Sequence, residues 1–141
     1  AMGGWLFLEF GLAAGAGALL YRALKTRLCR ERPFITFNTI NCTMPPLDRY
    51  SFPSGHTMGT AACATALALC ATSFWPAARL PAIILAGLWI ALVALSRLVL
   101  GVHWPTDVLV AACLGTVVPI LLQLTFNAIR SAEKRVPGVN E

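Results

Sequence analysis

Charge is scarce in this chain: 12% of its 141 residues are Asp, Glu, Lys or Arg, while 57% are hydrophobic. Ordinary soluble domains carry about 25% charged residues, so a water-facing globule is excluded and a membrane bundle becomes the expected class. Histidine is scarcer still. The two histidines and one nearby carboxylate, with five cysteines outside knuckle spacing, make a poor zinc set, and no metal or other cofactor is expected. The first apolar run lacks a basic leader and ends in Arg22 and Lys25, which argues against a cleaved signal peptide. No internal repeat or low-complexity run is present. Acidic residues number six against eleven basic ones, for a net charge of +5. The basic residues sit between apolar runs rather than along one solvated face, so no nucleic-acid partner is expected and lipid head groups or phosphorylated substrates fit better.

What the chain has in quantity is apolar helix. Four stretches approach the roughly 20 residues that cross a bilayer: Trp5 to Leu24, Gly55 to Trp75, Leu80 to Leu100, and Val108 to Ile129. The first is rich in Gly and Ala, which lets helices approach closely in a membrane, and its Glu9 is expected to face protein, a polar cavity or the interface. Pro33 is expected to end the first helical course. An irregular loop over residues 34–53, with Asn38, Asn41, Pro45, Pro46 and Asp48, then leads into the second span as a cover over a site. Residues 75–81 form a plain turn, Gly101 and Pro105 separate the last two spans, Pro119 is expected to kink the fourth or loosen its hydrogen-bond ladder, and residues 130–141 form a polar tail. Cys63, Cys70 and Cys113 read as small buried hydrophobes; Cys29 and Cys42 lie outside the spans and can pair only in an oxidising compartment.

Three polar clusters interrupt the apolar pattern: Lys25 with Arg32 and Pro33; Pro53, Ser54, Gly55 and His56; and Ser96, Arg97, His103 and Asp107. With one crossing per span, all three fall on the same membrane face. Ser54 is a good helix cap, and Gly55 leaves backbone amides open to an anion. His103 and Asp107 are four apart, about 6 Å along a helix axis, so a carboxylate there can orient and polarise the imidazole. Each cluster alone has an ordinary reading: a capped helix start, an acidic first turn, or snorkelling cations at an interface. Three cations, an amide nest and a His-Asp pair on one face instead point to a site for phosphoryl transfer.

In their order and spacing, these clusters resemble the three signature motifs of the type 2 phosphatidic acid phosphatase superfamily, integral-membrane lipid phosphatases that share a site with vanadium haloperoxidases. The resemblance runs from about Lys25 to Asp107. It implies an all-α transmembrane bundle, one membrane-embedded domain over residues 1–141, with four of the family's usual six helices and two N-terminal ones missing. It also implies that His103 is the nucleophile carrying a phosphohistidine, that Asp107 holds its imidazole, and that His56 is the general acid. Lys25, Arg32, Ser54, Gly55 and Arg97 would cradle the phosphoryl oxygens. The implied reaction is metal-independent removal of a phosphate from a membrane lipid, such as a phosphatidate, a phosphatidylglycerol phosphate or a polyprenyl diphosphate. Alternatives are a catalytically silent scaffold or binding protein, a vanadate-dependent haloperoxidase, and a transporter, although inverted repeats are not visible. A homo-oligomer can cover bundle surface left exposed. Outside the three motif cations, basic residues divide four to a side (Arg22, Arg27, Arg30 and Arg49 against Arg79, Arg130, Lys134 and Arg135), so charge does not orient the chain. The family precedent implies a bacterial inner membrane with the site facing the periplasm.

Overall fold

The structure, a computed structural model, describes residues 2–37, 39, 40, 42, 46, 48–133 and 135, without the side chains of residues 2–10 and of Ala13. The expectations for the Glu9 side chain, for Asn38, Asn41 and Pro45, and for residues 136–141 lie outside the described residues. The order is α1 (Met2–Leu28), the single turn α2 (Pro33–Thr36), α3 (Gly55–Phe74), a 3-10 turn (Pro76–Ala78), α4 (Arg79–Val99) and α5 (Pro105–Glu133). Among the described residues three helices are long and apolar enough to cross a membrane: Gly55–Phe74, Pro76–Val99 and Pro105–Glu133.

The boundaries differ from expectation at four places. α1 stops at Leu28, ahead of Pro33, because Cys29 turns into the left-handed region at φ 43°. The chain then pairs as an isolated antiparallel bridge, Glu31 with Tyr50, and Pro33 opens α2 rather than ending a helix. The turn over residues 75–81 is shorter than expected, since α4 begins at Arg79 and takes Pro81 into its first turn, where a missing N–H costs nothing. α5 begins at Pro105, so His103 precedes the helix instead of sharing it with Asp107. At its other end α5 runs through the buried Pro119 as far as Glu133, making the first four residues of the expected tail helical. Cys29 and Cys42 are free thiols, and Cys63 and Cys113 are exposed rather than buried.

α3 and α5 form the central pair, with α1 packed against both and α4 against α3 and, less extensively, α5. The closeness of the central pair has a cause in Gly115. A Cβ there would stand 2.4 Å from the Met58 carbonyl oxygen and 2.7 Å from Ala61 Cβ, distances no packed atom tolerates. Gly115→Ala is therefore expected to destabilise the bundle by about 1–3 kcal/mol, read as a lower unfolding temperature in detergent. Gly87→Ala on α4, where a Cβ meets nothing within 4 Å, is the control. Equal unfolding temperatures for the two variants would show that α3 and α5 are not this close.

The interior is more polar than the outside. Among the described residues buried apolar side chains are few (Met58, Ala61, Val102, Val108 and Ala111), whereas Lys25, Arg32, Ser54, His103 and Asp107 are all buried. Outward faces carry large apolar side chains; α4 buries none of its residues and exposes Leu80, Ile83, Leu88, Trp89, Leu92 and Val99. In water this surface would be an aggregation liability; in a bilayer it faces acyl chains. Gly101, at φ +66°, supplies the left-handed turn that brings the chain from α4 back into α5.

Candidate active site

The end of α1, the start of α3, the end of α4 and the start of α5 meet at one end of the bundle. There they enclose a cavity of about 880 Å³ lined by Lys25, Arg32, Gly55, His56, Arg97 and His103. Six of the eight expected site residues thus line one cavity. Ser54 and Asp107 stand behind it with no exposed surface.

The supports of this cavity come from local backbone needs. Ser54 caps α3: its Oγ accepts from the Thr57 amide at 3.4 Å and lies 3.0 Å from Thr57 Oγ1. The Ser54 amide donates to the Asp107 carbonyl oxygen at 3.3 Å, which ties the start of α3 to the start of α5. These bonds engage the serine as a brace, while Gly55 borders the cavity under the Tyr21 ring, where a Cβ would come within 3.1 Å. Asp107 caps α5 from within its first turn: Oδ2 accepts from the Trp104 amide at 2.9 Å, and Oδ1 accepts from Arg30 Nη1 at 3.0 Å. Arg30 also donates to Thr106 Oγ1 at 2.6 Å. The carboxylate is therefore fixed from two sides, and its Oδ2 lies 3.6 Å from His103 Nδ1, an ion-pair distance slightly too long for a hydrogen bond.

His103 is buried, and its other nitrogen fixes the tautomer. Arg32 Nη1 lies 3.5 Å from His103 Nε2 and donates at 2.8 Å to the Val102 carbonyl oxygen. A guanidinium has donors only, so the ring form that suits this neighbour has a bare Nε2 and a proton on Nδ1, toward Asp107. The Nε2 lone pair then lies against Arg32, and both residues line the cavity. Arg97 comes from the last turn of α4, with its Nε 3.1 Å from Ser96 Oγ.

Sequence reasoning gave no role to Asp48, Tyr21 or Arg30. Asp48 Oδ2 accepts from Lys25 Nζ at 2.6 Å, its Oδ1 accepts from Arg32 Nη2, and its carbonyl oxygen accepts from Arg32 Nε at 3.0 Å. Lys25 also donates to the Tyr21 hydroxyl at 2.6 Å. Burial pushes the Asp48 carboxyl up, but the hydrogen bonds from Lys25 and Arg32 outweigh it and hold the group below its ordinary value of 3.8. The available signal was that Asp48 is the sole carboxylate of the segment 34–53. Among the described residues no group of three or more His, Cys, Asp or Glu side chains could hold a metal ion; the positive charge of the cavity comes from Lys25, Arg32 and Arg97.

Comparison with known proteins gives this geometry its relatives. Decaprenylphosphoryl-5-phosphoribose phosphatase of Mycolicibacterium smegmatis is 43% identical over 101 residues, covering 69% of this chain and 49% of that protein. The protein of the same name from Mycobacterium tuberculosis is 32% identical over 128 residues, covering 88% of this chain and 66% of that one. Phosphatidylglycerophosphatase B of Escherichia coli is 42% identical over 66 residues, 47% of this chain and 25% of that protein. Among solved structures, a transmembrane PAP2 type phosphatidylglycerolphosphate phosphatase from Bacillus subtilis superposes with a TM-score of 0.73 at 30% identity, over 89% of this chain and 59% of that one. The chain thus spans from a quarter to two thirds of the length of these proteins. The PAP2 superfamily model matches residues 6–130, from α1 through nearly all of α5 and across all three polar clusters, and the chain belongs to that superfamily.

Proposed function

We propose that this chain hydrolyses a terminal phosphate from a membrane lipid, without a metal ion and through a phosphohistidine. The observation that carries the reading is the convergence of three cations and both histidines on one cavity at the end of an apolar bundle. Lys25, Arg32 and Arg97, with the Gly55 amide, take the phosphoryl oxygens and offset the charge that builds on them in the transition state. Ser54 shapes this cradle from behind. The Nε2 lone pair of His103 forms the N–P bond as the P–O bond to the lipid alcohol breaks, and His56, exposed to the cavity, gives its proton to the departing oxygen. Neutral His56 then takes a proton from water, whose oxygen attacks phosphorus and breaks the N–P bond to release orthophosphate. Asp107 balances the positive charge that His103 carries while phosphorylated.

A lipid substrate suits the cavity because its deeper wall is apolar and fine-grained, with Ala14, Gly17, Ala18, Gly59 and Ala62. A tail can stay in the hydrocarbon while the phosphate meets the cations at the helix ends. The relatives' names point to decaprenylphosphoryl-5-phosphoribose and phosphatidylglycerophosphate as the first substrates to try, with phosphatidate and a polyprenyl diphosphate beside them. The setting we propose is a bacterial inner membrane with the cavity toward the periplasm. Protein purified in detergent with chelator present is expected to release orthophosphate from at least one of these four lipids and to bind vanadate. Absence of both results overturns the proposal; vanadate binding without release leaves a binding protein in its place.

A further inference from the structure

Asp48 is a charged group of the cavity that the reaction above does not use, and it occupies the cations the reaction needs. Each carboxylate oxygen holds a different one, Lys25 at 2.6 Å and Arg32 through Nη2. The cations are the fixed half of this arrangement: Lys25 is 8% exposed and Arg32 2%. The carboxylate is the movable half, its side chain 48% exposed. The bond from Arg32 Nε to the Asp48 carbonyl oxygen can keep the backbone in place while the side chain swings out.

We propose that Asp48 is an internal competitor for the phosphate seat, a specificity-determining residue that a phosphomonoester dianion displaces and a singly charged phosphodiester does not. The inference rests on the phosphatase reading. A monoester carries close to two negative charges near neutral pH. Exchanging one carboxylate charge for two gains attraction to Lys25, Arg32 and Arg97; exchanging it for the single charge of a diester gains nothing. The distinction matters in a bilayer, where phosphodiester head groups surround the cavity mouth at high local concentration and would fill an unguarded cationic seat.

The test uses the whole chain in detergent in alkaline buffer, where vanadate is mainly a dianion like the monoester it stands for, with vanadate as the phosphate probe and short-chain phosphatidylglycerol as the diester. Asp48→Asn is expected to bind vanadate about tenfold more tightly than the wild type, the scale of one charge-assisted interaction. The diester should inhibit this variant at concentrations that leave the wild type unaffected. Equal or weaker vanadate binding by Asp48→Asn means that Asp48 positions the cations rather than competing for them, and overturns the inference alone. Failure of both proteins to bind vanadate overturns the phosphate site and this inference together. If the variant does not fold, the wild type still decides. The chain has two aspartates, Asp48 and Asp107, so isotope-edited infrared spectra of labelled aspartate, compared with those of Asp48→Glu, in which Asp107 alone carries the label, should show the Asp48 carboxylate band shifting when vanadate is added, and an unchanged Asp48 band overturns the proposal.

Discussion

Replacing His103 with alanine is expected to lower phosphate release by about 10⁴-fold or more, the scale on which enzymes lose activity with their nucleophile. The ring is 5% exposed and wedged between Arg32 and Asp107, so its removal takes away the proposed nucleophile while Lys25, Arg32 and Arg97 remain. Vanadate affinity should therefore fall far less than turnover. A residue that merely packed the site would move both together or neither. A phosphoenzyme trapped from labelled substrate should be stable in alkali and labile in acid in the wild type, and missing in His103→Ala. Activity within tenfold of wild type in that variant would falsify the assignment of the nucleophile.

The second large effect is expected at Arg32, which joins more parts of the site than any other side chain described above. Its guanidinium donates to the Asp48 carboxylate, the Asp48 carbonyl and the Val102 carbonyl, and it lies against His103 Nε2. Arg32→Ala removes a donor to the phosphoryl group, for about 10²–10³-fold in turnover by analogy with single oxyanion donors. It also strands the Val102 carbonyl and the His103 ring, at about 1–3 kcal/mol of stability for a buried group left without its partner. Arg32→Lys keeps the charge but not the planar fork. It should recover much of the unfolding temperature and little of the turnover. If lysine restores turnover fully, Arg32 supplies charge alone and the contact geometry is immaterial.

The sequence made the helices and the meeting of the clusters legible for simple reasons. Long apolar runs and their connections are local signals, and one crossing per span carries Lys25, His56, Arg97 and His103 to the same end without knowledge of any contact. What it concealed depends on where backbone directions change. The left-handed turn at Cys29 frees Arg30 and Arg32 from the helix that their spacing from Lys25 extends. Arg30 thereby reaches Asp107, and Arg32 reaches Val102 and Asp48, pairings 77, 70 and 16 residues apart that no periodicity records. The helical face proposed for His103 and Asp107 failed similarly: Pro105 opens α5 after the histidine, so the pair meets around a helix start and at 3.6 Å.

The amide bond from Ser54 to the Asp107 carbonyl, together with the contact at Gly115, has a bearing on how such a chain can diversify. His56 rides on α3 and His103 immediately precedes α5, so the spacing between the proposed acid and the proposed nucleophile is set by one helix pair. The cations Lys25 and Arg32, and Asp48 with them, arrive on α1 and the segment that follows it. Substitutions at Asp48 and elsewhere in that loop can therefore retune which head group is accepted while the spacing of the two histidines stays constant, whereas Arg32, which lies against His103, cannot change without touching both.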